Sequence, residues 1–325
     1  RVTPEADPEL FAATVGGVGL TGLVGLMGVR LLSGATPSVE LAERRVANLD
    51  EFLAAFAEVR ERATFSVGWI DALASGRALG RGILETAEFI PAPGPSATSG
   101  LGAGGPGYQR VPGRAGWRVP FDLPSAILHP RAVRAFNDFY FNRVPPAGRT
   151  RVVPFAKFLY PLDAIMDWNR IYGRRGFYQF QCVLPDGEAR AGLRALLAEI
   201  GDGGSASFLA VLKTLGGPGR GMLSFPLRGF TLALDFARRA GAEALIARLE
   251  RIVALHGGRV YLAKDALLTP DNFRAMYPES GRFAELLERI DPEGRFSSDL
   301  ARRLGLRQAS APDSRERGPS ARGVS

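Results

Sequence analysis

The chain has 325 residues, 46% of them hydrophobic and 23% charged, which is enough to bury a core for more than one domain. Its single cysteine, Cys182, excludes a disulfide scaffold, and the distant His129 and His256 form no local metal motif, so we expect no metal site. The net charge is +8, but the arginines are scattered, which predicts no nucleic-acid site. The three lysines are Lys157, Lys213 and Lys264.

The first apolar stretch covers residues 15–32 and contains six glycines. Its 18 residues reach the lower limit for a membrane span, but the glycines and the lack of flanking aromatic residues argue against insertion. We interpret the stretch as a buried strand with a tight turn and expect no integral membrane span. Gly17, Gly19 and Gly22 match G-x-G-x-x-G, which is weak evidence for a dinucleotide site because no long strand precedes them.

Two segments have compositions typical of chain without a core of its own. Glycine and proline make up ten of the residues 91–107, so we predict a mobile Gly/Pro loop over 91–116. The tail, residues 307–325, is polar and rich in Ser, Arg and Gly, and we predict that it is disordered.

Residues 177–262 alternate between strand-like and helix-like patterns. The predicted strands are 177–184, 207–215, 230–236 and 259–262, and the predicted helices are 188–200 and 241–256. The order β-α-β-β-α-β is typical of a split ferredoxin-like antiparallel sheet with both helices on one face. We therefore predict an α+β fold with an antiparallel ferredoxin-like sheet covered by helices.

Polar side chains occur in or beside three of these strands. Gln179 and Gln181 share one face of the first strand, Lys213 lies near the end of the second, and Lys264 follows the last. Polar groups in such positions are costly unless they are satisfied or line a site. Each could separately be a sheet-edge residue, or a surface ion pair in the case of Lys264 with Asp265. Together they predict one wall of a polar pocket.

Several longer motifs resemble a known family. They include DWNRIYG at 167–173, GFYQFQ at 176–181, YLAKD at 261–265, FRAMYP at 273–278 and DPEGRFSSDLARRL at 291–304. The chain resembles the FAD-binding oxidoreductases of the vanillyl-alcohol-oxidase type, with their PCMH-type flavin domain, and among them the decaprenylphosphoryl-β-D-ribose 2-oxidase group. The resemblance implies FAD as cofactor and oxidation of a secondary alcohol in a sugar-like substrate, by hydride transfer to the flavin, as in the biosynthesis of a cell-wall precursor.

The resemblance also implies a layout of domains. Residues 1–34 would end the FAD-binding domain, 35–260 would form the substrate domain, and 261–306 would return to the flavin. Because the chain begins where the flavin domain of these enzymes is nearly complete, we expect a C-terminal fragment that lacks the pyrophosphate-binding half.

Roles for single residues follow from the same resemblance. The implied catalytic residues are Lys264, Gln181 and Lys213; the implied substrate-binding residues are Gln179, Tyr160 and Thr231; the implied cofactor-binding residues are Gly17, Gly19, Gly22, Val24, Tyr261 and Lys264. Three positions depart from the family pattern. Ala233 replaces a cysteine that faces the flavin, Thr231 an asparagine and Leu159 a pocket tyrosine, which leaves the sugar substrate open.

Two other functions stay open at this point. One is a sugar-lactone oxidase of the aldonolactone type, which would use oxygen directly. The other is a truncated, non-catalytic substrate-binding module. The implied partners are a small-molecule or lipid-linked sugar substrate and a short-chain reductase acting on the keto product. The implied location is the bacterial cytoplasm or the periphery of a membrane.

Overall fold

The computed structural model describes residues 1–30, 36–90, 117–204 and 209–307. The loop predicted over 91–116 and, apart from Arg307, the tail predicted over 307–325 lie outside the described residues. The chain divides into two compact units. The larger consists of Met27–Pro218 and Phe225–Leu267, and the smaller of Arg1–Leu26, Gly219–Ser224 and Leu268–Ser325.

The described residues contain the following elements. The strands are β1 Ser38–Val46, β2 Phe65–Ile70, β3 Gly82–Phe89, β4 Trp117–Arg118, β5 Arg149–Pro154, β6 Ile165–Met166, β7 Phe177–Pro185, β8 Ala210–Leu215, β9 Gly229–Ala237 and β10 Arg259–Val260. The helices are α1 Pro8–Thr14, α2 Leu49–Val59, α3 Pro130–Asn142, α4 Phe155–Leu159, α5 Ala189–Gly203, α6 Ala242–Leu255, α7 Pro270–Met276, α8 Ser280–Ile290 and α9 Asp299–Arg303. None of these helices is long and apolar enough to cross a membrane.

The larger unit is built on an antiparallel sheet in the order β10-β7-β9-β8-β2-β3-β1-β5. Its half β10-β7-β9-β8, with α5 and α6, confirms the predicted ferredoxin-like arrangement. Both helices begin and end close to their predicted bounds, because their apolar residues recur at helical spacing and are buried, from Leu193 to Ile200 and from Leu245 to Val253. Residues 207 and 208 of the second predicted strand lie outside the described residues.

The other half of the sheet, β2-β3-β1-β5, was not predicted from the sequence. It joins the ferredoxin-like half through β2, where Gly68 pairs with Leu212 of β8. Helix α2 packs on the same face as α5 because the ring of Phe52 fills the space above Gly68 and Gly82. One continuous helical layer therefore covers one face of both halves.

The opposite face of this half is covered by α3 and carries a buried charge network. Glu43 is fully buried and binds Arg143 (2.8 Å), Arg149 (2.5 Å) and Arg151 (3.0 Å). Burial alone would raise the pKa of Glu43, but the hydrogen bond from Arg149 and the three guanidinium charges lower it below its ordinary value. The neighbouring Glu85 also pairs with Arg143, at 3.0 Å. The carboxylates here are thus neutralised within the fold.

The apolar stretch at 15–32 differs from its prediction. Residues 22–30 form neither helix nor strand, and Leu23 and Leu26 are 93% and 95% exposed. The glycines explain the difference, because Gly19 and Gly22 adopt φ values of 78° and 132°, outside the range of an extended strand. The prediction of a buried strand was therefore wrong.

The smaller unit contains α1, α7, α8 and α9. Glu9 of α1 pairs with Arg289 (2.5 Å) and Arg282 (3.4 Å) of α8. The segment 219–224 joins α1 through a hydrogen bond from the Met222 amide to the Ala12 carbonyl, at 2.8 Å.

We predict that Gly82→Ala lowers the free energy of unfolding by about 1–3 kcal/mol, because an added Cβ would lie 2.2 Å from the Trp69 carbonyl oxygen and 2.4 Å from the Phe52 ring. Chemical denaturation monitored by circular dichroism measures the change. Gly187→Ala is the matched control, since its Cβ would meet nothing within 4 Å. Equal stability of the two variants would contradict this account of the α2 packing.

Candidate active site

The candidate site lies on the face of β7, β8 and β9 that is turned away from α5 and α6. Strand alternation directs Phe180, Cys182 and Leu184 into the helical side, where they are buried, and places Gln179 and Gln181 on the other face. Across the sheet, Gln179 pairs with Asp235, Gln181 with Ala233, and Lys213 with Thr231. Three neighbouring strands, spaced about 4.8 Å apart, therefore contribute to one polar surface.

Hydrogen bonds fix the orientation of these side chains. Gln181 Nε2 donates to Thr231 Oγ1 at 3.0 Å, and Thr231 is buried. Asp235, which is 6% exposed, accepts a hydrogen bond from the Tyr172 hydroxyl at 3.2 Å and another from the amide of Gln179. The surface is thus preorganised rather than a set of mobile polar groups.

Lys264 reaches the same surface from the turn after β10. The Tyr261 amide donates to the carbonyl of Gln181 at 2.8 Å, and the Lys264 amide donates to the carbonyl of Tyr261 at 3.0 Å. These bonds attach the short 3-10 helix Leu262–Lys264 to β7. The ring of Tyr261 stacks on that of Phe225 with centroids 4.6 Å apart.

The electrostatics of the site come from burial and from Lys264. Burial raises the pKa of Asp235, while its hydrogen bonds and the charge of Lys264 oppose that shift. Burial together with the charge of Lys264 lowers the pKa of Lys213. The surface therefore holds a carboxyl group that is easier to protonate than usual and an ammonium group that is easier to deprotonate.

The structure places Gln179, Gln181, Lys213 and Lys264, the four residues of the polar-pocket hypothesis, near one another, and Thr231, named from the resemblance, lies among them. Their roles remain predictions, since a shared surface does not establish catalysis. The sequence reasoning missed Asp235 and Tyr172. Asp235 could have been found, because it lies two and four residues after Ala233 and Thr231 on the same strand face. Tyr172 precedes β7 in a 3-10 helix, and no periodicity connects it with the sheet.

Two further residues singled out in the sequence lie elsewhere. Tyr160 follows α4, which packs over β1 and β5 at the far edge of the sheet, and its side chain is 59% exposed. Its role in substrate binding is therefore not supported by proximity to Gln181. Burial raises the pKa of the Cys182 thiol to about 12, so this cysteine stays protonated within the core, consistent with a packing role.

The glycine motif belongs to the smaller unit and follows the end of α1, not a strand. A Cβ on Gly17 would lie 2.0 Å from the Ala13 carbonyl oxygen, so packing against α1 accounts for that glycine. A Cβ on Gly19 or Gly22 would meet nothing within 4 Å, which leaves room for a ligand beside the backbone. Val24 is 63% exposed, and its contact with a cofactor stays a prediction.

The sheet surface fits the flavin that the sequence implies. Among the described residues, Lys213 and Lys264 form no ion pair, and the charge of Lys264 contributes to the lowered pKa of Lys213. Two such ammonium groups suit a ring system that gains electrons. The residues that would hold its reactive end are Lys264, Lys213 and Tyr261. The described residues contain no group of three or more His, Cys, Asp or Glu side chains able to hold a metal ion.

Comparisons with known proteins define the class. Residues 230–304, from β9 to α9, match the family model for D-arabinono-1,4-lactone oxidase. The fold is similar to that of xylooligosaccharide oxidase from Myceliophthora thermophila C1, solved with xylobiose, with a TM-score of 0.54 and 12% identity over 92% of this chain and 62% of that one. The fold is thus that of the FAD-binding oxidases with a large antiparallel sheet.

Two curated relatives narrow the assignment. The chain is 33% identical over 94% of its length to decaprenylphosphoryl-β-D-ribose oxidase of Mycolicibacterium smegmatis, and covers 65% of that protein. It is 35% identical over 91% of its length to an uncharacterized protein in the mprA 5′ region of Streptomyces coelicolor, and covers 81% of it. The chain belongs to the family of FAD-binding oxidoreductases of the vanillyl-alcohol-oxidase type, and it spans less than two thirds of the full length of the M. smegmatis relative. The cofactor of this family is FAD, as expected from the sequence.

We predict that Asp235→Asn becomes progressively more stable than the unaltered protein as pH rises. The folded-state pKa of Asp235 lies above its ordinary value of 3.8, so the unaltered protein loses stability as pH rises from that value through the folded pKa. The variant lacks this titration. Urea denaturation across a pH series measures the difference, and Asp163→Asn, at an exposed position, is the control. A difference that does not change with pH would contradict the burial of a titrating carboxyl group.

Proposed function

We propose that this chain forms the substrate side of an FAD-dependent oxidoreductase that oxidises a secondary alcohol of a sugar-like substrate. One observation carries the proposal: polar side chains of three strands share one face of the sheet, namely Gln179, Gln181, Lys213 and Asp235. Lys264, in the 3-10 helix after β10, lies close enough to influence the pKa values of Lys213 and Asp235. The M. smegmatis relative, named for a decaprenylphosphoryl-β-D-ribose substrate, supports a polyprenyl-phosphate pentose or another sugar-like alcohol.

Asp235 is suited to accept the proton of the substrate hydroxyl. Alcohol oxidation removes that proton together with a hydride from the adjacent carbon, and FAD supplies the acceptor of the hydride when it is bound. A carboxylate with a raised pKa is a more effective general base near neutral pH than an ordinary surface carboxylate. The Tyr172 hydroxyl and the Gln179 amide hold Asp235 in position while it takes up the proton.

The glutamines and lysines would orient the substrate. Because Thr231 accepts a hydrogen bond from Gln181 Nε2, the carbonyl oxygen of that amide is set to accept from a sugar hydroxyl. Lys264 can donate to the reacting oxygen and favours the negative charge that develops there. Lys213, whose pKa is lowered, can donate to a second hydroxyl. This divides the site into a reacting end at Asp235 and Lys264 and a binding end at Gln181 and Lys213.

A second candidate function is supported by the family model that matches residues 230–304, that of a lactone oxidase. The electron acceptor that reoxidises the reduced protein distinguishes the lactone oxidase from the first proposed function. Direct and rapid reoxidation of the reduced protein by oxygen would favour the lactone oxidase, whereas slow reaction with oxygen and fast reaction with a quinone dye would favour the first proposal.

A short-chain reductase acting on the keto product is a further proposed partner, and the proposed location is the cytoplasm or the surface of a membrane. The reductase would act on the ketone that oxidation of a secondary alcohol produces, and a lipid-linked sugar would require access to a membrane surface. Co-purification of such a reductase from a bacterial extract would support the partner.

We predict that Lys264→Ala slows substrate-driven bleaching of the flavin band by about 100-fold or more, because it removes the cation beside the reacting oxygen. Anaerobic stopped-flow absorbance of the flavin-loaded protein measures the rate. Lys157→Ala is the matched control, since Lys157 is exposed on α4, and its rate should stay within twofold. Unchanged bleaching in Lys264→Ala would overturn the role of Lys264. A purified protein without a flavin band would favour the non-catalytic module.

A further inference from the structure

A cavity of about 410 Å³ opens in the larger unit near the start of β7 and is distinct from the polar surface described above. Arg174 and Arg175 line it from the turn before β7, and Arg238 lines it from the end of β9. The turn is held by its glycines: Gly173 and Gly176 both have φ of 71°, and the Gly176 carbonyl accepts from the Arg238 amide at 3.0 Å. This bond joins the turn that carries Arg174 and Arg175 to the end of β9, where Arg238 lies.

The cavity is positively charged. Its lining contains three arginines and a single acidic residue, Asp122, so positive charge predominates. Within the described ranges, none of the three guanidinium groups forms an ion pair, unlike the arginines around Glu43. The guanidinium of Arg238 lies over the ring of Tyr178, 4.9 Å from its centroid, which limits its motion. Guanidinium groups that line one cavity in this way are suited to bind an anion.

The volume and the lining residues of the cavity favour a phosphate ester over other anions. Guanidinium groups bind phosphate through paired N–H donors, and 410 Å³ accommodates a phosphate together with a group attached to it. Phe177 also lines the cavity, and its ring stacks on Tyr172 at 4.5 Å and lies 5.3 Å from Trp168. This aromatic side offers an apolar or sugar portion a surface to contact. The geometry points to a phosphate ester, and we propose that this cavity binds one.

A series of side-chain contacts links the wall of the cavity to Asp235 of the candidate active site. Phe177, in its lining, stacks on Tyr172, whose hydroxyl binds Asp235. Phe177 and Gln181 are four residues apart on β7, which corresponds to about 13 Å. A substrate that places a hydroxyl at Asp235 could therefore hold its phosphate at Arg174, Arg175 and Arg238. This use as a substrate subsite rests on the proposed function, whereas the binding of a phosphate ester does not.

Isothermal titration calorimetry with inorganic phosphate and with ribose 5-phosphate at low salt tests the site directly. We expect the double variant Arg174→Ala/Arg175→Ala to bind both at least tenfold more weakly. The double variant Arg131→Ala/Arg134→Ala removes the same charge from exposed positions of α3 and should bind within twofold of the unaltered protein. Thermal unfolding verifies that both variants are folded.

Equal weakening in the two double variants would overturn the proposal, since the effect would then be one of general charge. An unaltered protein that binds neither soluble phosphate nor phosphatidylglycerol vesicles would also overturn it. Binding to phosphatidylglycerol vesicles that only the Arg174→Ala/Arg175→Ala variant loses, without binding to either soluble phosphate, would support the proposal and identify a lipid as the carrier of the phosphate ester. Because the titration needs no flavin, its failure is distinct from that of the proposed oxidation, which a substrate without phosphate can test separately.

Discussion

The structure of the larger unit depends on one constraint: a single antiparallel sheet is covered by α2, α5 and α6 on one face, and its strands have a side-chain period of two. Every second side chain of β7 and β9 must then point to the face of the sheet away from these helices. At those positions the chain has Gln179, Gln181, Thr231 and Asp235, so burial of the apolar residues on one face assembles the polar surface on the other. A shift of one residue in register would exchange the two sets.

The two halves of the sheet differ in how the charged side chains on this face are paired. On the β1 side, Glu43 is enclosed by three arginines, and one of them, Arg143, also pairs with Glu85. On the β7 side, Lys213 and Lys264 form no ion pair among the described residues, and Asp235 is buried with neutral hydrogen-bond donors. Paired buried charges support structure, whereas groups whose charge is only partly compensated are available for chemistry. This contrast is the physical reason for placing the site on the ferredoxin-like half.

The ferredoxin-like half of the fold could be predicted from the sequence, and so could the glutamines and lysines of its candidate site, but not Asp235 or Tyr172. Apolar spacing in α5 and α6 and alternation in β7 and β9 are strong local signals, and the polar residues inside those strands were visible against them. The strands β1, β3 and β5 carry several charged residues, including Glu43 and Glu85, whose burial depends on arginines far away in the chain, so no local pattern shows them. Tyr172 and the arginine cavity depend on how a turn meets a strand end, which is a tertiary property.

We propose that Asp235 accepts the proton of the substrate hydroxyl while the flavin is reduced. The most direct test of this proposal is anaerobic reduction of the flavin-loaded protein by a sugar alcohol substrate, with the rate followed by absorbance across a pH series. We expect the unaltered protein to show a rate that falls as Asp235 becomes protonated, and Asp235→Asn to lose both most of the rate and this dependence on pH. Reduction of Asp235→Asn at the rate of the unaltered protein, with the same pH profile, would contradict it.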